Sequence, residues 1–411
     1  MKKIGLFYLF IFVFSGVSAQ TWSNYRIKAQ YMHGTILRHN QHLDALVQGS
    51  SRGGTVAVEF QTMGERAWHQ FLGFPQIGAG LVFMDFSNPE ILGRGIALYP
   101  YMNVPLVRTN FFNLNLKPGA GATFVNRFYG NTIQTPGTLQ GANSAIGSVM
   151  NVFLTLGANV EIPLAGGFSL TADYAWNHVS NGSIVQPNSG INMLNAYVGL
   201  RYTPNHRNIQ QPQRRNWEDV PRNFSFEIMA SGGITQLHYR NDNNYVIASL
   251  SFGVYRPMSN WYRMGVGADV FYNSVFGVVN VPGKPGFEPS HRHFRFTYIE
   301  ENLFRNKIRA GVSWHHEFMV GRLTAGFHFG LYLYDPIKNL QPRTLNESGE
   351  VIRPEGNKGL IYRYNIDVED GWLYTRAIAR YAITNNLFVS VGLKTHLQRA
   401  EFIDWGIGWR F

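Results

Sequence analysis

The sequence predicts an all-β protein, a transmembrane antiparallel barrel of about eight plus eight strands, and three observations carry that prediction. Runs of roughly ten residues alternating apolar and polar recur along the chain, separated by turn-forming residues. Aromatics make up 15% of the 411 residues and glycine is abundant at 43, while charged residues reach only 15%, well under the roughly 25% of soluble domains. The connections between runs alternate between short and long, as they do when turns line one membrane face and loops the other.

Residues 1–19 read as a secretory leader. Lys2 and Lys3 precede an apolar stretch from Ile4 to Phe14, and small residues at Val17 and Ala19 suggest cleavage after Ala19. That stretch is short for a spanning helix, and no later one reaches about 18 uninterrupted apolar residues. Strands are therefore expected to do the crossing. The chain has no cysteine, which excludes disulfides, thiol catalysis and a lipid-bearing N-terminal cysteine. Its net charge is +11. Export argues against nucleic acid as the partner, and the phosphates of lipopolysaccharide are the more natural anions.

Candidate strands in the first half lie near 24–36, 53–61, 76–86, 91–102, 110–125, 148–163, 167–178 and 190–203. A polar, basic linker follows over 204–222, and the second half, 223–411, carries strands near 223–236, 244–257, 260–273, 306–318, 321–334, 371–383, 386–396 and 401–411. Tight turns such as Leu164-Ala165-Gly166, Met258-Ser259 and Asn385-Asn386 follow even-numbered strands, whereas the long connections 37–52, 126–147, 274–305 and 335–370 follow odd ones. Segment 62–75 breaks this alternation and reads as a periplasmic excursion. With the N-terminus in the periplasm, the His178 end of strand seven faces the outer leaflet. The chain finishes on a strand with a terminal aromatic, Phe411. Ile77–Phe83 and Met264–Phe271 suggest a diverged repeat. The halves could close separately or as one barrel of about sixteen strands.

Chemistry concentrates at the end of strand seven. Residues two apart in a strand share a face, so His178 and Ser180 should lie side by side, where a general base and a nucleophile need to be. Both continue the apolar parity of Phe168, Leu170, Ala172, Tyr174 and Trp176. On the returning strand Asn192 shares parity with Leu194, Ala196, Val198, Leu200 and Tyr202. Three polar residues thus stand at one end of two otherwise apolar faces, the wrong faces for solvation.

His178-Val179-Ser180-Asn181-Gly182, followed by Pro187-Asn188 and Gly190, resembles the signature of the outer-membrane lipid A 3-O-deacylase family, also described as acyloxyacyl hydrolase-like. The match runs from His178 to Asn192, and strand count and length extend it over 20–203 but not obviously over 223–411. The resemblance implies an eight-stranded barrel in the bacterial outer membrane with its active site on the exterior, and lipid A as substrate. It implies Ser180 as nucleophile, His178 as general base, and the Asn181 side chain with the Gly182 backbone N–H as oxyanion hole. One position departs: the family's third member is a glutamate, and Asn192 stands there. An asparagine can fix the imidazole tautomer but cannot stabilise the imidazolium by charge, a loss worth on the order of 10²–10⁴ in rate. The expected function is hydrolysis of an ester-linked acyl chain. The alternative is a barrel without catalysis, acting as a lipid-binding scaffold or small-solute channel. No cofactor or metal is called for, and oligomeric state is open, a homodimer being one arrangement.

Other constellations read as structural. Trp314-His315-His316-Glu317 looks like a metal site, but neighbouring strand residues face opposite sides and the two histidines cannot share an ion. His291-Arg292-His293 and Arg295 lie in a long outward loop. Arg52-Gly53-Gly54-Thr55 reads as a glycine turn without a following helix, so not a phosphate loop. Glu161 and Asp173 share lumen parity and read as packed polar residues rather than a glycosidase pair. His396 takes the parity of Ser390 and Lys394, towards the lumen, with no serine two residues on.

Overall fold

The alternation closes twice. The structure is a computed structural model that describes residues 25–39, 41–133, 141–208, 211–239, 241–279, 301–336, 344–345, 351–352, 371–396 and 399–411. The leader and the His291–Arg295 cluster lie outside the described residues. The first barrel comprises β1 (Tyr25–Ile36), β2 (Ser50–Gln61), β3 (Gln76–Asp85), β4 (Arg94–Arg108), β5 (Asn113–Val125), β6 (Met150–Pro163), β7 (Phe168–Ser180) and β8 (Ile191–Tyr202). Each strand pairs antiparallel with the next, and β1 closes on β8 with Ala29 opposite Leu200.

The second barrel comprises β9 (Ser225–His238), β10 (Asn241–Pro257), β11 (Tyr262–Asn273), β12 (Ile308–Val320), β13 (Leu323–Tyr334), β16 (Leu373–Ala382), β17 (Leu387–His396) and β18 (Arg399–Arg410). It closes between β18 and β9, with Trp405 opposite Gly232. A separate two-stranded ribbon, β14 (Thr344–Leu345) with β15 (Val351–Ile352), sits in the connection from β13 to β16. The two barrels form two compact units, so of the arrangements open to the sequence it is the pair of eight-stranded barrels that forms. No helix among the described residues is long and apolar enough to cross a membrane.

Strand parity sorts the side chains. Ile27, Tyr31, Val56, Leu98, Leu156, Tyr174 and Val198 are exposed on the outside of the first barrel, where hydrocarbon rather than water is the solvent. The opposite parity fills the lumen with charge, paired because an unpaired ion there would be costly. Lys28 meets Glu59 at 2.8 Å, Lys117 meets Asp173 at 2.6 Å, and Arg201 pairs with Glu161. Glu161 and Asp173 are thus packed lumen residues, each with its own cation. In the second barrel Arg263 joins Glu227 at 2.7 Å and Glu317 at 2.6 Å, and Arg376 joins Asp404 at 2.5 Å. His396 is buried there, 2.7 Å from Glu401, on the lumen side as its parity requires.

Several boundaries differ from the sequence reading. Arg52–Thr55 is not a turn but part of β2, paired with β1 and β3, and a Cβ on Gly53 would run into the Phe83 carbonyl. The glycines serve close backbone approach rather than a change of direction. β4 runs on to Arg108 through Pro105, where the register with β5 shifts between Pro105 and Val107. A bulge accommodates a proline that cannot donate to the ladder.

The long connections are not featureless. Leu43, Leu46, Val47, Phe86, Leu92, Ala145 and Ile146 from outer loops join Ile36, Val125, Val179 and Ile191 in one buried apolar cluster. This cluster braces the end of the barrel from which β7 delivers its last residues. Segment 62–75 contains a short helix, Ala67–Phe71, and receives the linker: the Gln213 N–H donates to the Met63 carbonyl (3.1 Å) and the Arg215 N–H to Gln70 Oε1 (3.0 Å). The excursion that interrupted the short-turn pattern is therefore the ledge on which the chain leaving β8 is tied.

Candidate active site

β7 and β8 bring the three polar residues together. Their register sets His178 directly opposite Asn192, and Ser180 follows two residues along the same face. His178 Nδ1 lies 2.7 Å from Asn192 Oδ1, and His178 Nε2 lies 2.7 Å from Ser180 Oγ. An amide oxygen only accepts, so Nδ1 carries the imidazole proton and Nε2 presents its lone pair to the serine hydroxyl. The three groups form a continuous hydrogen-bonded chain from amide to hydroxyl. All three hold the parity of exposed Tyr174, Val198 and Leu200, on the outer wall of the barrel rather than in the lumen.

The surroundings fix this chain. Trp176, two residues before His178 on the same face, stacks on the imidazole with centroids 5.6 Å apart and planes 15° from parallel. Beneath the ring lies Gly190, at φ +75°, where a Cβ would come within 2.9 Å of His178 Cε1. Glycine alone combines the left-handed backbone with room for the ring. The Gly190 N–H donates to the Ala145 carbonyl at 2.9 Å, which ties this loop to the apolar cluster. Past Ser180 the chain turns sharply, with φ of +62° at Gly182 and +71° at Ser183. Asn181 is held at both ends: its backbone N–H donates to Asn188 Oδ1 (3.0 Å), and its Nδ2 donates to Ser148 Oγ (3.1 Å).

Two residues were not singled out from sequence, Ser148 and His39, whose Nε2 lies 2.9 Å from the Ser189 carbonyl, and the contact of Asn188 with Asn181 was not read from the motif that contains it. Ser148 and His39 come from other loops, 33 and 150 residues from their partners, and no spacing rule reaches that far.

The histidine-rich stretch of β12 splits as parity demands. His316 faces outward, its Nδ1 2.6 Å from Tyr262 OH, and His315 faces inward, its Nε2 2.7 Å from Ser313 Oγ. His328 on β13 completes a His315, Glu317 and His328 cluster in the lumen that sequence spacing did not reveal. It is a poor cation site: Glu317 already binds Arg263 and Arg380, and the two imidazoles stack at 3.6 Å.

Two closed barrels with outward apolar side chains define a membrane-barrel protein, and a Ser–His–Asn hydrogen-bonded chain lies on the outer wall of the first. The model of the family "Lipid A 3-O-deacylase (PagL)" matches residues 52–201, and that of "Acyloxyacyl hydrolase, C-terminal domain" matches residues 224–344 and 357–411. The chain belongs to the lipid A 3-O-deacylase family. It is an outer-membrane β-barrel, and its activity is hydrolysis of an ester-linked acyl chain of lipid A.

No curated protein matches the chain. Among solved structures, the outer membrane enzyme PagL is 15% identical, over 43% of this chain and 98% of that one, with a TM-score of 0.27. The FrpB iron transporter from Neisseria meningitidis is 10% identical over 94% of this chain and 69% of its own, with a TM-score of 0.22. A Rhodopseudomonas blastica porin triple mutant is 8% identical over 94% and 99%, with a TM-score of 0.18.

Proposed function

We propose that Ser180, His178 and Asn192 carry the hydrolysis, with Asn181 and Gly182 stabilising the oxyanion. Ser180 Oγ attacks the carbonyl carbon of the acyl ester while His178 Nε2 takes its proton. The C–O π electrons move onto oxygen, and the Asn181 side-chain amide and Gly182 N–H receive that charge. Collapse expels the hydroxyl of the lipid A sugar, which takes its proton from the imidazolium. Water, deprotonated by the same Nε2, then releases the fatty acid and restores Ser180. Asn192 keeps the proton on Nδ1 throughout but adds no charge to the imidazolium. Trp176, stacked on the ring, offers the imidazolium a π-face in its place.

The observation that carries this reading is the pair of 2.7 Å contacts linking Asn192, His178 and Ser180 on a lipid-facing wall. A site there meets an ester at the headgroup boundary without extracting it from the bilayer. The domain assignment that goes with it is a leader over 1–19, a catalytic barrel over 20–203, a linker over 204–222, and a second barrel over 223–411 without the motif. No feature of the described residues argues for a homodimer. Ser180→Ala should abolish deacylation, read from the acyl composition of lipid A by mass spectrometry in cells carrying the variant. Deacylation at the parental level in that variant overturns the assignment.

A further inference from the structure

We infer that Ser148 is a positioning residue for the reaction: it selects which end of the Asn181 amide faces the ester oxygen. The inference rests on the oxyanion role proposed above for Asn181, and it concerns the step that role leaves open. The two ends of an asparagine side chain are nearly the same shape, but one donates and the other accepts. With Nδ2 towards the developing oxyanion the amide stabilises it. Turned over, it presents a carbonyl oxygen and repels it. Something must decide between the two orientations before substrate arrives.

Ser148 supplies that decision because its own proton is committed elsewhere. Its Oγ lies 2.9 Å from the Met150 carbonyl, an acceptor only, and 3.4 Å from Asn151 Oδ1. Whichever oxygen takes the hydroxyl proton, Oγ turns lone pairs towards Asn181. It therefore accepts from Nδ2 at 3.1 Å and would repel Oδ1. The serine is itself anchored: Asn151 Nδ2 donates to the Ser148 carbonyl at 2.8 Å, and the Val125 N–H donates to the Val149 carbonyl at 2.9 Å, tying the segment to β5. Asn188 Oδ1 holds the Asn181 backbone N–H at 3.0 Å, so the side chain pivots about a fixed backbone. An amide has two N–H groups, and holding one on Ser148 aims the other.

The test uses the full-length protein purified in detergent, with lipopolysaccharide as substrate and released fatty acid as the readout. Ser148→Ala should lower kcat about tenfold or more and leave KM within roughly twofold, since the lost interaction acts in the transition state. Ser148→Thr, which keeps the hydroxyl, should retain activity, and its isostere Ser148→Val should lose it. The Thr and Val pair separates orientation from packing if the alanine variant fails to assemble. The decisive measurement is the double variant S148A/N181A, which should be no slower than N181A alone if Ser148 acts through Asn181. Wild-type kcat in both S148A and S148V, or losses that multiply in the double variant, overturns the inference. An active S180A would instead remove the mechanism beneath it, and the two failures are read from different variants.

Discussion

At the residue scale, the proposed site combines a serine and a histidine with an uncharged third member. Asn192 sets the tautomer through one hydrogen bond of 2.7 Å and leaves the imidazolium to other groups. Asn192→Ala should lower kcat by on the order of 10²-fold or more by freeing the imidazole to adopt the wrong tautomer or rotate. Asn192→Glu should raise kcat, because a carboxylate at the rim of the apolar band stabilises the imidazolium by charge. Steady-state kinetics on lipopolysaccharide checks both directions. Gly190 is the complementary constraint. Gly190→Ala forces a methyl group to within 2.9 Å of His178 Cε1 on a backbone at φ +75°. It should cost about 10²-fold in kcat, the scale of an ångström's misplacement, while the barrel still assembles.

At the scale of elements, the site is delivered by two strand ends but held by loops. The apolar cluster of Leu43, Leu46, Phe86, Leu92 and Ile146 fixes the loops that receive Gly190 and Ser148. The opposite rim has its own fixed element, the ledge at 62–75. Gly64, at φ +93°, passes so close to the Gln213 carbonyl that an added Cβ would strike it. Gly64→Val should free the linker from the ledge, seen as faster proteolysis around Gln213 with deacylation unchanged. His69 on this ledge is buried, and that burial pushes its imidazole down from 6.5 to about 4. The unfolded ledge binds a proton more readily than the folded one between those values, so its stability is full above about pH 6.5 and falls as pH drops towards 4. Protection factors across 62–75, which divide out the intrinsic pH dependence of amide exchange, should fall between pH 7 and pH 4.5, and His69→Gln should remove that dependence.

At the scale of the whole molecule, each lumen is occupied by its own ion pairs among the described residues, which leaves the outer wall to meet a lipid substrate. Arg263, Arg380, Glu227 and Glu317 in one barrel, and Lys28, Glu59, Lys117 and Asp173 in the other, are all buried. Eight strands enclose an interior just wide enough for such side chains. The purified protein in planar bilayers should therefore show no stable porin-like conductance steps, and steps of that kind would contradict two packed closures.

Much of this was legible in the amino-acid order because it depends on period. Alternation by two fixed the strands, the lipid-facing and lumen-facing parities, the side on which His178, Ser180 and Asn192 emerge, and the inward turn of His396. Sixteen barrel strands could still close once or twice, since closure is a matter of which edges meet, and only the pairing of β1 with β8 and of β9 with β18 settled it. Boundaries shifted where proline or glycine sat inside a strand, as at Pro105 and Gly53, because a bulge or a close backbone approach absorbs them. Ser148, the contact of Asn188 with Asn181 and the His328 partner of Glu317 were out of reach for the same reason. Their meeting depends on how loops fold over a barrel rim or how neighbouring strands align, and side-chain direction along one strand carries no information about what lies across from it.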